Sequence, residues 1–279
     1  MHSRQYPLRH ATLAISEGIA EFTHRRPEAR NALSLELRQD YAEMLDLVEA
    51  DREVRALIIT GSGGSFCAGG DLRSIRDLLD DPDPTVREPA AMRRRLTEIH
   101  GWLRRLHDLE LPVIAAVDGA AAGAGFSLAL AADFVLASER ASFSMAFVKI
   151  GLVPDMGAMY ALPRAVGMGL AKELMYTGRR MDAKEAHQRG IVHALHGADT
   201  LPGEARRFAA RFLDAPRDAV ALTKRTLNGA FESSYETMFG LEGQAQGLAA
   251  STQYYREAIG SFLGGEGLRF DWDRMIREA

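Results

Sequence analysis

A single cysteine, Cys67, stands in 279 residues. One thiol cannot close an internal disulfide, so a reducing compartment, the cytoplasm, is expected. No apolar run reaches the about 18 residues that a membrane-spanning helix needs. The longest, Ala120 to Ala132, is rich in Gly and Ala and stops at Asp133. Met1 to Arg9 carries charge and no apolar stretch, so no signal peptide is expected. Basic residues do not dominate: 34 Lys and Arg face 38 Asp and Glu, a net charge of -4. Arg93-Arg94-Arg95 and Arg104-Arg105 read as a solvated helix face, and no nucleic-acid footprint is expected. His24, His100, His107, His187, His193 and His196 lack metal-ligand spacing to acids or cysteine, so no metal is expected. They read as surface or internally satisfied histidines.

What is present is ordinary globular composition, 47% hydrophobic and 26% charged. The length allows one large domain, or one domain with a smaller appendage. Ala11 to Thr23 alternates and predicts two short strands about Glu17-Gly18. Ser34 predicts an N-cap for a helix running to about Asp51, with Leu37, Tyr41, Met44, Leu45 and Val48 at helical spacing. Ala56 to Thr60, Pro112 to Val117 and Phe134 to Ala137 predict buried strands. Ala90 to Leu109 and Ala124 to Ala132 predict helices, and Asp80 to Pro84 a helix breaker. Strand, loop, helix and strand again implies layered α/β units. Beyond Leu201 helical periodicity takes over, which suggests a core over 1–200 and a helical region over 201–279.

Two glycine-rich loops follow two of these strands: Gly61-Ser62-Gly63-Gly64-Ser65-Phe66-Cys67-Ala68-Gly69-Gly70-Asp71, and Gly119-Ala120-Ala121-Ala122-Gly123-Ala124-Gly125-Phe126-Ser127. Glycine lets backbone N–H groups approach a ligand, and a helix start adds unpaired donors. Two such donors aimed at one point form an oxyanion hole, each worth about 3–4 kcal/mol to a transition state. Either loop alone reads equally well as a tight, closely packed turn. Neither has the spacing of a phosphate cradle.

Phe66-Cys67-Ala68-Gly69-Gly70-Asp71-Leu72, Ala121-Ala122-Gly123-Ala124-Gly125, Arg26-Pro27-Glu28-Ala29-Arg30-Asn31-Ala32-Leu33, and Met181 to Ala186 with Gly190-Ile191-Val192 occur in this order along nearly the whole chain. Together they resemble the enoyl-CoA hydratase/isomerase (crotonase) family. The resemblance implies an α/β spiral of repeated β-β-α turns with a helical C-terminal region for trimer contacts, alone or as a hexamer of two trimers. It implies an acyl-CoA substrate, with coenzyme A part of the substrate and no separate cofactor. It implies that Gly70 and Ala124 give N–H donors to the thioester carbonyl, and that the backbone at Ala68 meets the adenine. Arg30, Ala32, Asp71, Leu72, Gly123, Ser127 and Phe147 fall in its substrate-binding segments, and Arg30 is a phosphate candidate.

Family hydratases handle water with two glutamates. At the matching positions this sequence has Ser127 and Phe147, and neither is a carboxylate that moves a proton. One acid remains nearby: Asp155, in Gly151-Leu152-Val153-Pro154-Asp155-Met156-Gly157. Together with Tyr255-Arg256-Glu257 and Phe262-Leu263, this stretch resembles the ring-opening isomerases of phenylacetate degradation, which implies double-bond movement with Asp155 as acid/base. An apolar pocket of Leu152, Val153, Met156 and Met159 is expected to raise its pKa. The plainer reading, an Asp capping the following helix, stands beside it. Cys67 reads as a small buried thiol, and Met168, Met175 and Met181 as core filler. Ala124 stands where the family often has glycine. The C-terminal Lys of the family is absent, which implies either a lower CoA affinity or Arg269 as a substitute phosphate contact.

Overall fold

The computed structural model describes residues 3–277; Met1, His2, Glu278 and Ala279 lie outside that description, and with them the extreme ends of the two expected regions and the start of the Met1 to Arg9 segment. The chain opens with β1 (Arg4–Pro7), β2 (Ala11–Ser16) and β3 (Ile19–His24), paired antiparallel, the turn falling at Glu17 and Gly18 as the alternation predicts. Next comes α1 (Leu35–Ala50), capped by the Ser34 hydroxyl, which accepts from the Leu37 N–H at 3.1 Å. Its stripe of Leu37, Tyr41, Met44, Leu45 and Val48 is buried.

Then follow β4 (Ala56–Gly61), α2 (Leu72–Leu79), α3 (Pro89–His107), β5 (Val113–Val117), β6 (Ala120–Ala122), α4 (Ala124–Leu130), β7 (Phe134–Ser138) and β8 (Ser142–Ser144). Strands β3, β4, β5 and β7 run parallel; β4 and β5 are buried on both sides, which is why their sequences are apolar runs, while β3 alternates. After each of β5 and β7 the chain turns and lays down a short strand, β6 or β8, in a second small sheet; Cys67 pairs with Ala121 and plays the same part after β4. The resulting units β5-β6-α4 and β7-β8 followed by a helix are turns of a β-β-α spiral, the α/β architecture expected.

The helix after β8 is α5 (Ala158–Thr177), which is broken at Gly167 (φ 78°) and carries Pro163. After it come β9 (Arg180–Asp182), antiparallel to β8, then α6 (Ala183–Gln188) and β10 (Ala194–His196), parallel to β7 at the edge of the large sheet. The large sheet thus has seven strands in the order β1-β2-β3-β4-β5-β7-β10. Its inner face packs on α1 and α3 around Leu57, Ile59, Val113 and Ala115. Its outer face, Ala56, Ile58, Ile114, Ala116 and Leu136, is covered by Leu201, Ala205, Phe208 and Ala209 of α7 (Leu201–Ala210). The chain ends with α8 (Arg217–Asn228), α9 (Tyr235–Ala250), α10 (Gln253–Leu263) and α11 (Trp272–Arg277). These four helices bury no residue fully. They expose Leu227, Tyr235, Phe239, Leu248, Phe262 and Leu263.

No helix among the described residues is long and apolar enough to cross a membrane. Two readings of side chains change. Met181 is buried and Met175 half-buried, but Met168, just past the break at Gly167, is exposed and fills no core.

Candidate functional site

The two glycine-rich loops lie side by side. Cys67 N–H donates to Ala120 O and Ala122 N–H to Cys67 O, each at 3.0 Å. At Gly125 the approach is closest: a Cβ there would stand 2.0 Å from the Cys67 carbonyl oxygen, so only glycine fits. Gly123 begins α4 with φ 52° and ψ -121°, outside the range of a side-chain-bearing residue, and its N–H is held by Ser144 O at 2.7 Å.

Among the described residues the peptide N–H groups of Gly70 and Ala124 have no acceptor, and neither have those of their neighbours Gly69 and Gly125. Ala124 is the first residue of its helix, where no intrahelical acceptor exists. Gly70 pairs only through its neighbours, since Leu33 N–H takes Gly69 O at 2.7 Å. A Cβ on Gly69 would lie 3.7 Å from the Ala124 nitrogen, so the Gly70 and Ala124 donors belong to adjacent chain segments.

The first loop is held from behind by a buried polar network that sequence reasoning missed. Asn31, fully buried in a left-handed conformation (φ 55°), donates to Ser62 O at 2.8 Å and Ser65 O at 2.6 Å and accepts from Arg26 N–H at 2.9 Å. His24 Nδ1 meets Phe66 O at 3.0 Å and its Nε2 meets Tyr41 Oη at 2.7 Å. The carbonyl only accepts, so the proton sits on Nδ1 and the tyrosine hydroxyl donates to Nε2. Burial lowers the His24 pKa to about 4, which keeps the ring neutral. Tyr41 in turn stacks on Trp102 of α3 at 4.6 Å between ring centres. Only the alternation of β3, which turns His24 inward with Ala20 and Phe22, could have marked this histidine.

Asp71 caps α2, accepting from the Arg73 N–H at 3.0 Å, and takes the Arg26 guanidinium at 2.7 Å. Burial works against its charge, but these partners prevail and hold the carboxyl below the ordinary range. Its place is therefore at the base of the loop. Ala32 is buried, and Ala68 donates its N–H to Arg30 O at 3.0 Å. The Arg30 and Leu72 side chains are exposed at the surface of the loop. The Cys67 thiol is buried, which pushes its pKa up to about 11, an inert group. Arg269 is engaged with Asp214 at 2.8 Å.

Ser127 and Phe147 both stand against the second loop. Ser127 is buried and its hydroxyl returns to Gly123 O at 3.3 Å. The Phe147 ring would be 3.8 Å from a Cβ at Gly123.

Asp155 does not cap a helix. α5 starts at Ala158 with Gly157 as its cap, and no side chain caps that helix start. Instead Asp155 Oδ1 is buried with no partner among the described residues. Its backbone turn is strained: Met156 follows at φ 53° and Gly157 at φ 78°. Burial raises the Asp155 pKa, opposed by the charges of His100 and Arg38. The expected apolar pocket needs correction. Met156 is buried, but Leu152, Val153 and Met159 are exposed, because the chain between Gly151 and Asp155 runs along the surface. On the inner side of the same turn, Leu103 of α3 lies 3.9 Å from the position of a Gly157 Cβ. Among the described residues no group of three or more His, Cys, Asp or Glu is placed to hold a metal.

The profile of the enoyl-CoA hydratase/isomerase family matches residues 14–274, and the chain belongs to that family of enzymes. It is 37% identical over 249 residues to a 1,2-epoxyphenylacetyl-CoA isomerase of Escherichia coli (strain K12), covering 89% of this chain and 93% of that one. It is 34% identical over 248 residues to a crotonyl-CoA hydratase of Syntrophomonas wolfei, covering 88% and 92%. A solved enoyl-CoA hydratase/isomerase from Cupriavidus metallidurans CH34 superimposes with a TM-score of 0.89 at 41% identity, covering 95% of this chain and 97% of that one.

Proposed function

We propose that this chain is an enoyl-CoA isomerase that shifts a double bond in an acyl-CoA thioester, with Asp155 as the acid/base. The observation that carries the reading is the Asp155 carboxyl itself: half-buried, with Oδ1 shut away and unpartnered among the described residues and its pKa raised, while the positions of the two hydratase glutamates hold Ser127 and Phe147. A buried carboxylate is the better matched proton carrier near neutral pH. The free N–H groups of Gly70 and Ala124 then serve as the oxyanion hole. Asp155 takes a proton from the carbon beside the thioester carbonyl, and the C–H electrons pass onto the carbonyl oxygen as an enolate that the two N–H groups hold. When the carbonyl re-forms, the electron pair returns along the conjugated system and takes the same proton at a more distant carbon. Nothing is gained or lost.

Arg30, exposed beside the first loop, suits the CoA phosphates; the Ala68 backbone suits the adenine; Ala32, Asp71, Leu72, Gly123, Ser127 and Phe147 shape or support the path of the thioester. Aromatic-ring-derived acyl groups are the first substrate class, in keeping with the E. coli relative, and plain 3-enoyl chains the second. The test is a panel of such thioesters followed by absorbance and mass. Bond migration at constant mass is expected. Product heavier by one water would make the chain a hydratase, and no turnover with binding intact a CoA-binding scaffold.

The exposed apolar residues of α8, α9 and α10 fit a contact between copies, and a homotrimer or a dimer of trimers is the assembly proposed. Sedimentation should give a multiple of three chains; a monomer at micromolar concentration would refute it.

A further inference from the structure

Where a free N–H points is decided by the carbonyl of the same peptide, because a trans peptide holds the two on opposite sides. The Gly69 carbonyl takes the Leu33 N–H at 2.7 Å, which turns the Gly70 N–H away from Leu33. The Gly123 carbonyl takes the Phe126 and Ser127 N–H groups at 3.0 Å each, which turns the Ala124 N–H outward from α4. The Gly69 N–H has no such control: the Ala68 carbonyl of its peptide has no backbone donor among the described residues.

The Gly70 donor is therefore only as well placed as Leu33. Leu33 ends a short rail along the loop. Ala68 N–H donates to Arg30 O at 3.0 Å, and Leu33 lies beside Gly70 in a parallel bridge. The rail has an uncommon backbone. Arg30 (φ 49°) and Asn31 (φ 55°) are left-handed in succession, a conformation that side chains disfavour and asparagine tolerates better than most. Such a kink persists only where its surroundings over-determine it.

The Asn31 carboxamide supplies that determination. It is fully buried, accepts the Arg26 N–H at 2.9 Å, and spends both amide hydrogens on the start of the first loop, on Ser62 O at 2.8 Å and Ser65 O at 2.6 Å. The hollow it enters exists because residue 61 is glycine: a Cβ there would stand 2.8 Å from Asn31 Nδ2. One residue thus grips the start of the loop with its side chain and the end of the loop through the backbone that flanks it. His24 differs. It holds Phe66 O, in a peptide whose N–H is already given to Ala120 O, so it aims no free donor.

We propose that Asn31 is a positioning residue of the oxyanion hole: its carboxamide fixes the reach from the start of the loop to the Leu33 N–H, and through Gly69 O it aims the Gly70 N–H at the thioester oxygen. Shut off from the surface, Asn31 contacts no reacting atom. The inference rests on the reading of Gly70 and Ala124 as donors to that oxygen.

The test compares the wild-type chain with Asn31→Gly, which keeps the left-handed backbone and removes the carboxamide, and Asn31→Asp, which keeps the size and loses both donors. Two CoA ligands serve as probes: a saturated acyl thioester labelled at its carbonyl carbon, and the thioether in which a methylene replaces that carbonyl. In the wild type the bound thioester's carbonyl resonance should move from its value in water, and the thioester should bind more tightly than the thioether. In both variants the resonance shift should shrink and the thioester-over-thioether affinity ratio should fall, while thioether affinity stays within a few-fold. The kcat for double-bond migration should fall about 10–100-fold with KM little changed. A folded variant that keeps the shift and the ratio, whatever its rate, overturns the proposal and leaves Asn31 a structural group. Should Asn31→Gly fail to fold, Asn31→Asp reads the same quantities. If the wild type itself shows no shift and binds the two ligands alike, the oxyanion-hole reading fails, and the proposal with it; a shift in the wild type that survives in the variants sinks the proposal alone.

Discussion

Asp155→Asn lowers double-bond migration by about 10²–10⁴-fold, with acyl-CoA affinity kept within a few-fold. Asn fills the same volume and keeps a polar end, but it cannot take a proton, and no second carboxylate replaces it at Ser127 or Phe147. Stability should move the other way from activity. The folded-state pKa of Asp155 is raised, so at neutral pH the unfolded chain ionises this group more readily and the fold carries a penalty for burying the charge. Asn removes that penalty, and the midpoint of denaturation should hold or rise at pH 7. Below the ordinary carboxylate range both states are protonated and the difference closes. The wild-type rate should fall on the acid side as Asp155 takes up its proton, at a pH above the usual Asp value of 3.8. A variant that is both inactive and less stable would mean that Asp155 is structural, and full activity would send the search for the base elsewhere.

Gly125→Ala removes activity and costs at least about 3 kcal/mol of stability, against the sign usual for this exchange inside a helix. In an open helix, alanine gains up to about 1 kcal/mol over glycine. Here the added methyl would stand 2.0 Å from the Cys67 carbonyl oxygen and 2.8 Å from its carbonyl carbon, both backbone atoms that no side-chain rotation can move. The two loops must part, and with them the free N–H groups of Gly70 and Ala124. Gly101→Ala in α3 is the control: nothing lies within 4 Å of its new carbon, and it should be neutral or stabilising. Denaturation of the two variants measured together checks the sign. A Gly125→Ala protein as stable as the control would mean that the loops are not clasped as described.

Much of the fold was legible because the residues that decide it act locally. Ser34 ends in a hydroxyl and precedes an apolar stripe; Ala56 to Thr60 is apolar without interruption. The short strands were not legible. Ala120–Ala122 and Ser142–Ser144 have no alternation to read, and they are strands only because β6 and β8 lie against each other. α5 hides behind Pro163 and Gly167, which together look like a loop and in fact mark a break within one long helix. At the site, the glycine loops showed themselves because close backbone approach demands glycine. Asp155 drew two readings, and the geometry removes one of them, since the cap falls to Gly157.

The cover that α7 lays over the large sheet sets an order of events during synthesis. A ribosome that has released the chain only as far as Asp199 has already presented every strand, yet Ala56, Ile58, Ile114, Ala116 and Leu136 still have nothing over them. The nascent chain therefore carries an open apolar sheet face, the kind of surface that holdase chaperones grip, until Leu201, Ala205 and Phe208 clear the exit tunnel and settle on it.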